Sequence, residues 1–146
     1  MIIVSVDVGD ARTGLAVCDR AEILASPVGV IETTDPEERL EQVCAAVRRL
    51  KAEQVVVGLP RHMNGDEGER ALLCRAFADE LFEKLDRQIP VSLCDERSTT
   101  VLAHTYLSIN DVRGRKRKKT VDAVAATIIL EDFLTLRKNK AARKDD

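Results

Sequence analysis

The chain has 146 residues, of which 45% are hydrophobic and 33% charged, with a formal net charge of −2. This length and balance predict one soluble domain, and no apolar segment is long enough to span a membrane. Aromatic residues make up only 3%, which argues against a surface that binds bases by stacking. The four cysteines form no C-x-x-C pair, so we expect buried thiols in a cytoplasmic protein rather than a zinc site.

Three apolar segments at the start of the chain predict an antiparallel meander. The first, Ile2 to Val8, is joined through a glycine-containing turn to the second, Gly14 to Cys18. The third, Ala25 to Ile31, follows closely enough to continue the meander. Because Pro27 has no backbone N–H, it predicts that this third strand lies at a sheet edge or carries a bulge.

Helices and short apolar strands alternate in the next part of the chain. Asp35 and Pro36 are typical of a helix start, and an apolar stripe follows them. Val55 to Leu59 and Val91 to Cys94 are short apolar runs typical of buried parallel strands, and the segment from about Glu67 to Leu85 predicts a helix between them.

Two further helices are predicted near the end of the chain. Ser98 can cap a short helix that ends at Leu107, and Thr120 can cap the last helix, whose nearly all-round apolar surface predicts deep burial. The order of elements predicts an α/β fold with a mixed five-stranded sheet, three antiparallel strands followed by parallel ones, and helices on both faces.

Three acids, Asp7, Glu96 and Asp122, stand where predicted elements begin or end. Because a buried carboxylate must be paired, protonated or bound to a cation, their convergence predicts a Mg²⁺ or Mn²⁺ site, with two ions suited to phosphodiester hydrolysis. Adjacent strand residues point to opposite faces, so only one of Asp95 and Glu96 can reach Asp7. The residues alone leave both choices open, and they also allow Asp7 to belong to a simple hairpin and Asp122 to be an acidic helix cap.

The small net charge conceals a basic end. Residues 113–146 hold 11 Lys and Arg against 5 Asp and Glu, a net of +6, which leaves −8 for residues 1–112. Residues 113–119 contain six cations in seven positions. This run predicts a mobile loop that contacts a nucleic-acid backbone, with a merely solvated loop as the alternative. The charged segment 137–146 is predicted to be a disordered tail, so that the domain spans residues 1–136.

Four segments, in order along the chain, carry a resemblance to a known family. They are DVGDARTGLAVCD at residues 7–19, VVGLPRHMNG at 56–65, DERSTT at 95–100 and KKTVDAVAAT at 118–127. Over roughly residues 1 to 136 the chain resembles the YqgF family, also called RuvX, which comprises small bacterial proteins of ribonuclease-H-like fold. The chain departs from the family pattern at Val8, Ser98 and His104, where the family has an aromatic, a larger apolar and a charged residue.

The resemblance implies a metal-dependent nuclease whose acids map onto Asp7, Glu96 and Asp122, and it favours Glu96 over Asp95. We expect Asp7 to bridge two Mg²⁺ or Mn²⁺ ions. The cations expected to hold a nucleic-acid backbone are Arg12, Arg97, Lys116, Arg117, Lys118 and Lys119. The implied reaction is processing of the 5′ end of pre-16S rRNA, with resolution of Holliday junctions as the alternative. Junction resolution requires a homodimer, whereas RNA end processing is compatible with a monomer.

Two other functions stay open at this point. The pattern Asp7-x-Gly9-x-x-Arg12-Thr13-Gly14 also resembles the first phosphate loop of actin-like ATPases and sugar kinases. Those proteins enclose ATP between two related domains, whereas this chain has room for one. The other alternative is a non-catalytic RNA-binding module of ribosome assembly, whose binding would depend on salt but not on Asp7.

Overall fold

The computed structural model describes residues 1–59, 68–95 and 114–144, with the side chains of 95, 114–122 and 141–144 left undescribed. These ranges contain five strands and three helices, in the order β1 (Ile3–Asp7), β2 (Arg12–Cys18), β3 (Ala25–Glu32), α1 (Pro36–Arg49), β4 (Gln54–Leu59), α2 (Glu69–Lys84), β5 (Val91–Asp95) and α3 (Gly114–Lys144). The predicted helix from Ser98 to Leu107 lies outside the described residues.

The strands form one mixed sheet in the order β3-β2-β1-β4-β5. The first three strands are antiparallel neighbours, and β4 and β5 continue the sheet parallel to β1. The prediction of a mixed five-stranded sheet is therefore confirmed. Its consequence for a site is that β1, β4 and β5 all end at the same edge of the sheet.

Strand β3 forms one edge, as Pro27 predicts. Its pairing with β2 is regular except for a shift between Leu15 and Ala16, whose partners are Gly29 and Pro27. Gly29 has a φ of 154°, a conformation that side-chain-bearing residues rarely adopt. The missing N–H of Pro27 thus falls at an irregular edge position, where it costs the sheet little.

The pleat of the sheet divides the core into two parts. On one face, Val4 and Val6 of β1 belong to a cluster with buried residues of α1 and α2. On the other face, Ile3 packs in a cluster with Ala126 and Ile129 of α3. Because successive strand residues alternate between faces, Ile3, Ser5 and Asp7 occupy positions on the α3 face.

Helix α1 begins as its sequence predicts. Asp35 accepts a 3.0 Å hydrogen bond from the backbone N–H of Glu37, and Pro36 is the first helical residue. The stripe that contains Val43 and Val47 is fully buried. None of the helices in the described ranges has the length and apolar character needed to cross a membrane.

Helix α3 differs from the sequence-based predictions at both ends. It begins at Gly114 rather than after Thr120, and it continues to Lys144. The described part of the basic run, residues 114–119, is therefore helical rather than a mobile loop, and residues 137–144 are helical rather than disordered. Lysine and arginine are good helix formers and no proline interrupts the segment, so charge repulsion in water is too weak to prevent the helix.

The predicted all-round burial of α3 is also wrong. One face, which includes Ile129 and Leu130, is buried against the sheet, whereas Leu136 is 55% exposed. Glu131 and Asp132 are also exposed. The helix covers a single face of the sheet, so its outer side stays in solvent despite its apolar composition.

Candidate active site

Asp7 is the last residue of the central strand. It pairs with Gly14 of β2 and is partly buried. The adjacent β4 runs parallel to β1 and ends at Leu59, and β5 beyond it ends at Asp95. The carboxyl ends of parallel strands are the usual place for ligands in α/β sheets. Asp7 therefore stands at the edge where a site is expected.

A buried hydrogen bond sets the position of α3 against β1. The hydroxyl of Ser5 donates to the carbonyl oxygen of Ala126 at 2.6 Å. Both residues are 0% exposed, so no water competes for either group and the bond is retained. Ser5 precedes Asp7 by two residues on the same face, and Ala126 follows Asp122 by four residues, about one helical turn.

A second contact fixes the direction of the helix. Arg137, eleven residues beyond Ala126, donates from Nε to Glu22 Oε1 at 2.7 Å. Glu22 lies in the turn after β2, and this turn lies at the amino end of β1 because the two strands are antiparallel. The helix therefore runs antiparallel to β1, and its residues before Ala126 extend toward the carboxyl end of the strand. The backbone of Asp122 is thereby carried toward Asp7.

The Glu22 and Arg137 pair is also the clearest electrostatic feature of the described residues. The hydrogen bond from Arg137, opposed by partial burial and supported by attraction to the guanidinium, lowers the pKa of the Glu22 carboxyl. The same contact raises the pKa of Arg137. The pair stays ionised at neutral pH and anchors the second half of α3 to the β2–β3 turn.

The two candidates for the second acid are Asp95, the last residue of β5, and Glu96, which follows it in sequence; β5 is not adjacent to β1. One strand, β4, separates them, so their backbones are about 10 Å apart. Gly58 of β4 pairs with Cys94 of β5, and Cys94 packs on the α3 face. Gly58 is buried and has no side chain, so on this face β4 places only backbone between the ends of β1 and β5.

Strand alternation bears on the choice between Asp95 and Glu96. Asp95 pairs with Leu59, and Leu59 packs in the cluster on the α1 and α2 face. Position 95 is therefore on the face away from α3 and from Asp7. Glu96 lies outside the described residues, as does Arg97.

The β1–β2 loop, residues 8–11, follows Asp7 and depends on a glycine. A Cβ added to Gly9 would lie 2.1 Å from the carbonyl oxygen of Arg12, a contact that no side-chain-bearing residue can make. The N–H of Gly9 donates to the Thr13 hydroxyl at 3.5 Å. Arg12 opens β2 and is partly buried, in the same loop-and-strand segment as Asp7.

Two arginines that the sequence analysis did not single out hold this loop. Arg70 of α2 donates to the carbonyl oxygen of Val8 at 2.8 Å, and Arg39 of α1 donates to that of Asp10 at 2.7 Å. Nothing in their sequence surroundings distinguishes them from the many other surface arginines. Ser5 was also missed, although a lone hydroxyl in the apolar run before Asp7 is a signal for a buried hydrogen bond.

Of the three predicted ligands, only Asp7 has a described side chain. Accordingly, among the residues the structure describes, no three His, Cys, Asp or Glu side chains lie close enough to hold a metal ion. Asp122 is placed by its backbone within α3, as are Lys116, Arg117, Lys118 and Lys119 two to six residues before it. Its position inside the helix, eight residues after the start, excludes the alternative of an N-terminal cap.

The four cysteines are buried thiols, as the sequence predicts. Burial, partly offset by a backbone hydrogen bond from Ile3, raises the pKa of Cys18. A raised pKa keeps the group a thiol, which is neither a good nucleophile nor a metal ligand. Cys18 therefore has a structural rather than a chemical role.

Comparison with solved structures identifies the fold. The Thermus thermophilus RuvC structure is 15% identical, with a TM-score of 0.54, over 95% of this chain and 97% of that one. The fowlpox virus resolvase in complex with a Holliday junction substrate is 14% identical, with a TM-score of 0.54, over 92% and 97% of the two chains. At these identities the similarity establishes the ribonuclease-H-like fold.

Sequence comparison identifies closer relatives. A protein of Roseiflexus sp. (strain RS-1) named "Putative pre-16S rRNA nuclease" is 39% identical over 132 residues, covering 90% of this chain and 92% of the relative. A protein of Chloroflexus aurantiacus with the same name is 37% identical over 145 residues, 99% and 94% of the two chains. The family model described as "RuvX: Holliday junction resolvase" matches residues 1–136. The chain therefore belongs to the RuvX family.

Proposed function

We propose that this protein is a metal-dependent nuclease that hydrolyses phosphodiester bonds in pre-16S rRNA, using Asp7, Glu96 and Asp122 as its acids. The observation that carries the proposal is the antiparallel placement of α3 on β1, fixed by the Ser5–Ala126 hydrogen bond together with the contact between Arg137 and Glu22. This placement supports the proposal, because the backbone of Asp122 precedes Ala126 by about one turn on the side of the helix's course that leads to the carboxyl end of β1.

The donor set fits Mg²⁺ or Mn²⁺, because both ions prefer carboxylate oxygens. Bound ions would activate water and stabilise the leaving oxygen. The protein itself would hold the carboxylates in position for the ions. Asp7 sits at the end of a strand hydrogen-bonded on both sides, and the adjacent β4 carries no side chain at Gly58 on the same face. Unneutralised carboxylates brought together here would raise each other's pKa, which is a cost that bound cations remove.

Glu96 is the proposed second acid because position 95 belongs to the opposite face. The register that pairs Asp95 with Leu59 places Asp95 on the side of α1 and α2. Strand alternation would return the next residue to the α3 face. An Asp95→Asn variant should therefore keep nuclease activity that Glu96→Gln loses.

The proposed nucleic-acid contacts lie beside these acids. Arg12 begins β2, two residues before the Gly14 that pairs with Asp7, and Arg97 adjoins Glu96 in sequence. Lys116 to Lys119 lie on α3 within two turns of Asp122. Cations on a helix that begins next to the site offer phosphate contacts in a fixed direction, and such contacts position a substrate without reading its sequence.

The names of the relatives favour RNA as the substrate, and the family description favours branched DNA. We propose pre-16S rRNA because two relatives above 35% identity over most of the chain carry that name. Four buried thiols are compatible with the reducing cytoplasm, where ribosomes are assembled. Holliday junction resolution is the second candidate and would require two copies of the site.

The test is a comparison of substrates. The purified protein is incubated with Mn²⁺ or Mg²⁺ and either a 5′-extended 16S rRNA precursor or a four-way DNA junction of matched length. We expect cleavage of the precursor at its 5′ extension that stops on addition of a chelator. Preferential cleavage of the junction would favour the second candidate. Salt-sensitive RNA binding without cleavage under any metal condition would favour the non-catalytic module instead.

A further inference from the structure

The β1–β2 loop, residues 8–11, is held by partners from two helices and from the residue that follows β3. Arg70 of α2 donates to the Val8 carbonyl at 2.8 Å. Arg39 of α1 donates to the Asp10 carbonyl at 2.7 Å. The N–H of Thr33, just after β3, donates to the Ala11 carbonyl at 3.0 Å. Three of the four loop carbonyls are thus fixed by groups distant in sequence.

The guanidinium of Arg70 packs against Gly9 in the β1–β2 loop. A Cβ on Gly9 would lie 3.6 Å from Arg70 Nη2, so the guanidinium passes directly over the glycine to reach Val8. Arg70 Nη1 also lies 3.6 Å from Asp10 Oδ2. That ion pair is largely exposed and contributes little. The hydrogen bond from Arg70 to the Val8 carbonyl is therefore the contact that holds the loop in position.

The space behind the loop explains why arginines are needed there. A cavity of about 160 Å³ lies between the loop and the two helices, and Gly9, Asp10, Arg39, Arg70 and Phe77 are among the residues that line it. A cavity of this size admits several waters. Water could satisfy the loop carbonyls in place of the arginines, but it would not fix their positions.

We propose that Arg39 and Arg70 are positioning residues that hold the Asp7 carboxylate in place for metal binding by clamping the loop that follows it. The inference rests on the proposed function, since it assigns these arginines to the same site. Asp7 is joined directly to Val8, whose carbonyl Arg70 holds, so a shift at Val8 moves Asp7 as well. Partners one step removed from a metal ligand commonly change its affinity by about 10- to 100-fold.

The arginines act on the loop from the face opposite α3. Val8 packs in the cluster on the α1 and α2 face, whereas Asp7 occupies a position on the α3 face. The clamp can therefore fix Asp7 without occupying the space where substrate and metal would bind. This separation predicts an effect on metal affinity with little effect on nucleic-acid affinity.

The experiment compares Arg70→Met and Arg39→Met with Arg48→Met. The control is well matched, because Arg48 also lies on α1 and donates to a backbone carbonyl, that of Lys84, at 3.2 Å, but at a different place in the fold. Methionine keeps much of the side-chain length and removes the donors. Arg70→Lys, which retains a donor able to reach one carbonyl, is the rescue variant.

Two measurements are made on each full-length variant. Amide hydrogen exchange of residues 8–13 without metal or nucleic acid reports the clamp itself. Electron paramagnetic resonance measures Mn²⁺ binding, which reports whether Asp7 is still held in place for the metal. The Mn²⁺ dependence of cleavage and the KM for RNA are measured on the same variants. We expect faster exchange and about tenfold weaker Mn²⁺ binding in the Arg39 and Arg70 variants, an unchanged KM for RNA, and partial recovery in Arg70→Lys.

Exchange in residues 8–13 that matches the Arg48→Met control would overturn the clamp. Faster exchange with unaltered Mn²⁺ binding would overturn the positioning of Asp7. If the wild-type protein binds no Mn²⁺, the proposed function fails, and the exchange data still decide whether the arginines hold the loop.

Discussion

Ser5 and Ala126 join the central strand to the long C-terminal helix through a 2.6 Å hydrogen bond at a point fully closed to solvent. The bond links a strand residue two positions from Asp7 to a helix residue one turn from Asp122. This hydrogen bond therefore fixes the position of α3 along β1, and with it the relative position of the backbones of two of the proposed acids.

Removing the Ser5–Ala126 hydrogen bond should affect both stability and activity. Ser5→Ala is expected to lower the free energy of unfolding by about 1 kcal/mol, because the hydrogen bond is lost from a buried site. It should also reduce nuclease activity, because α3 can then shift along β1. Chemical denaturation and initial cleavage rates measure the two effects. Ser26→Ala on the edge strand is the control, and an equal loss in both variants would contradict the special role of Ser5.

Gly9 should not tolerate any side chain. In Gly9→Ala the new Cβ would lie 2.1 Å from a backbone oxygen, so the β1–β2 loop must move. We expect a loss of stability of about 3 kcal/mol, at the upper end for overpacking, and loss of cleavage. Thermal unfolding and a cleavage assay are the measurements. A variant with wild-type melting temperature and activity would show that the loop moves freely.

The Glu22 and Arg137 pair predicts an acid-sensitive contribution to stability. The hydrogen bond from Arg137 lowers the folded-state pKa of the Glu22 carboxyl. The contribution of the pair to the free energy of unfolding is therefore fully present at a pH above the unfolded-state pKa of Glu22. It is lost as the pH falls through the lower, folded-state pKa. Glu22→Gln should lower the free energy of unfolding by about 1 kcal/mol at pH 7, and the difference should vanish in acid.

Urea denaturation of both proteins from pH 7 to pH 3 measures this difference. Glu83→Gln is a suitable control, since Glu83 near the end of α2 forms an exposed pair with Arg87, four residues further along the chain, and this pair should contribute much less. A Glu22→Gln penalty that persists unchanged at the lowest pH would contradict an ionic origin.

The basic start of α3 should provide salt-sensitive binding. Replacing Lys116, Arg117, Lys118 and Lys119 by glutamine keeps good helix formers and removes four cations. We expect the slope of log K against log salt for single-stranded RNA to become less steep by about 3. Fluorescence anisotropy at several salt concentrations measures the slope. The same change at Lys138 and Lys140, at the far end of α3, should alter it little, and equal effects would argue against a local contact.

The sequence predicts the sheet well because its evidence is local. The apolar runs, the Asp35 cap and the edge proline at Pro27 each act within a few residues, and the structure confirms all three. The family resemblance is confirmed by relatives that cover almost the whole chain. The start of α3 was not predicted correctly, because Thr120 offers a strong cap signal while the charged segment before it is helical for reasons of intrinsic propensity.

The contacts that position the candidate site could not be read from the sequence. Ser5 and Ala126 are 121 residues apart, and Arg70 is 62 residues from the carbonyl it holds. Such partners are set by how helices pack on the sheet. The lone hydroxyl of Ser5 signals a buried hydrogen bond but not its partner, and no local pattern marks Arg70. The sequence and the family resemblance supplied all three proposed acids, and the direction of α3 adds only that the backbone of Asp122 lies toward the carboxyl end of β1.

The central claim is that Asp7 is a metal-binding acid of a nuclease, and the most direct measurement is the Mn²⁺-dependent cleavage of pre-16S rRNA by Asp7→Asn. The substitution keeps the size of the side chain and removes its charge. Asp79→Asn, which alters an exposed acid on α2, is the control. We predict that Asp7→Asn loses cleavage while keeping its stability and RNA affinity, and that Asp79→Asn cleaves like the wild type. Undiminished cleavage by Asp7→Asn would contradict the account.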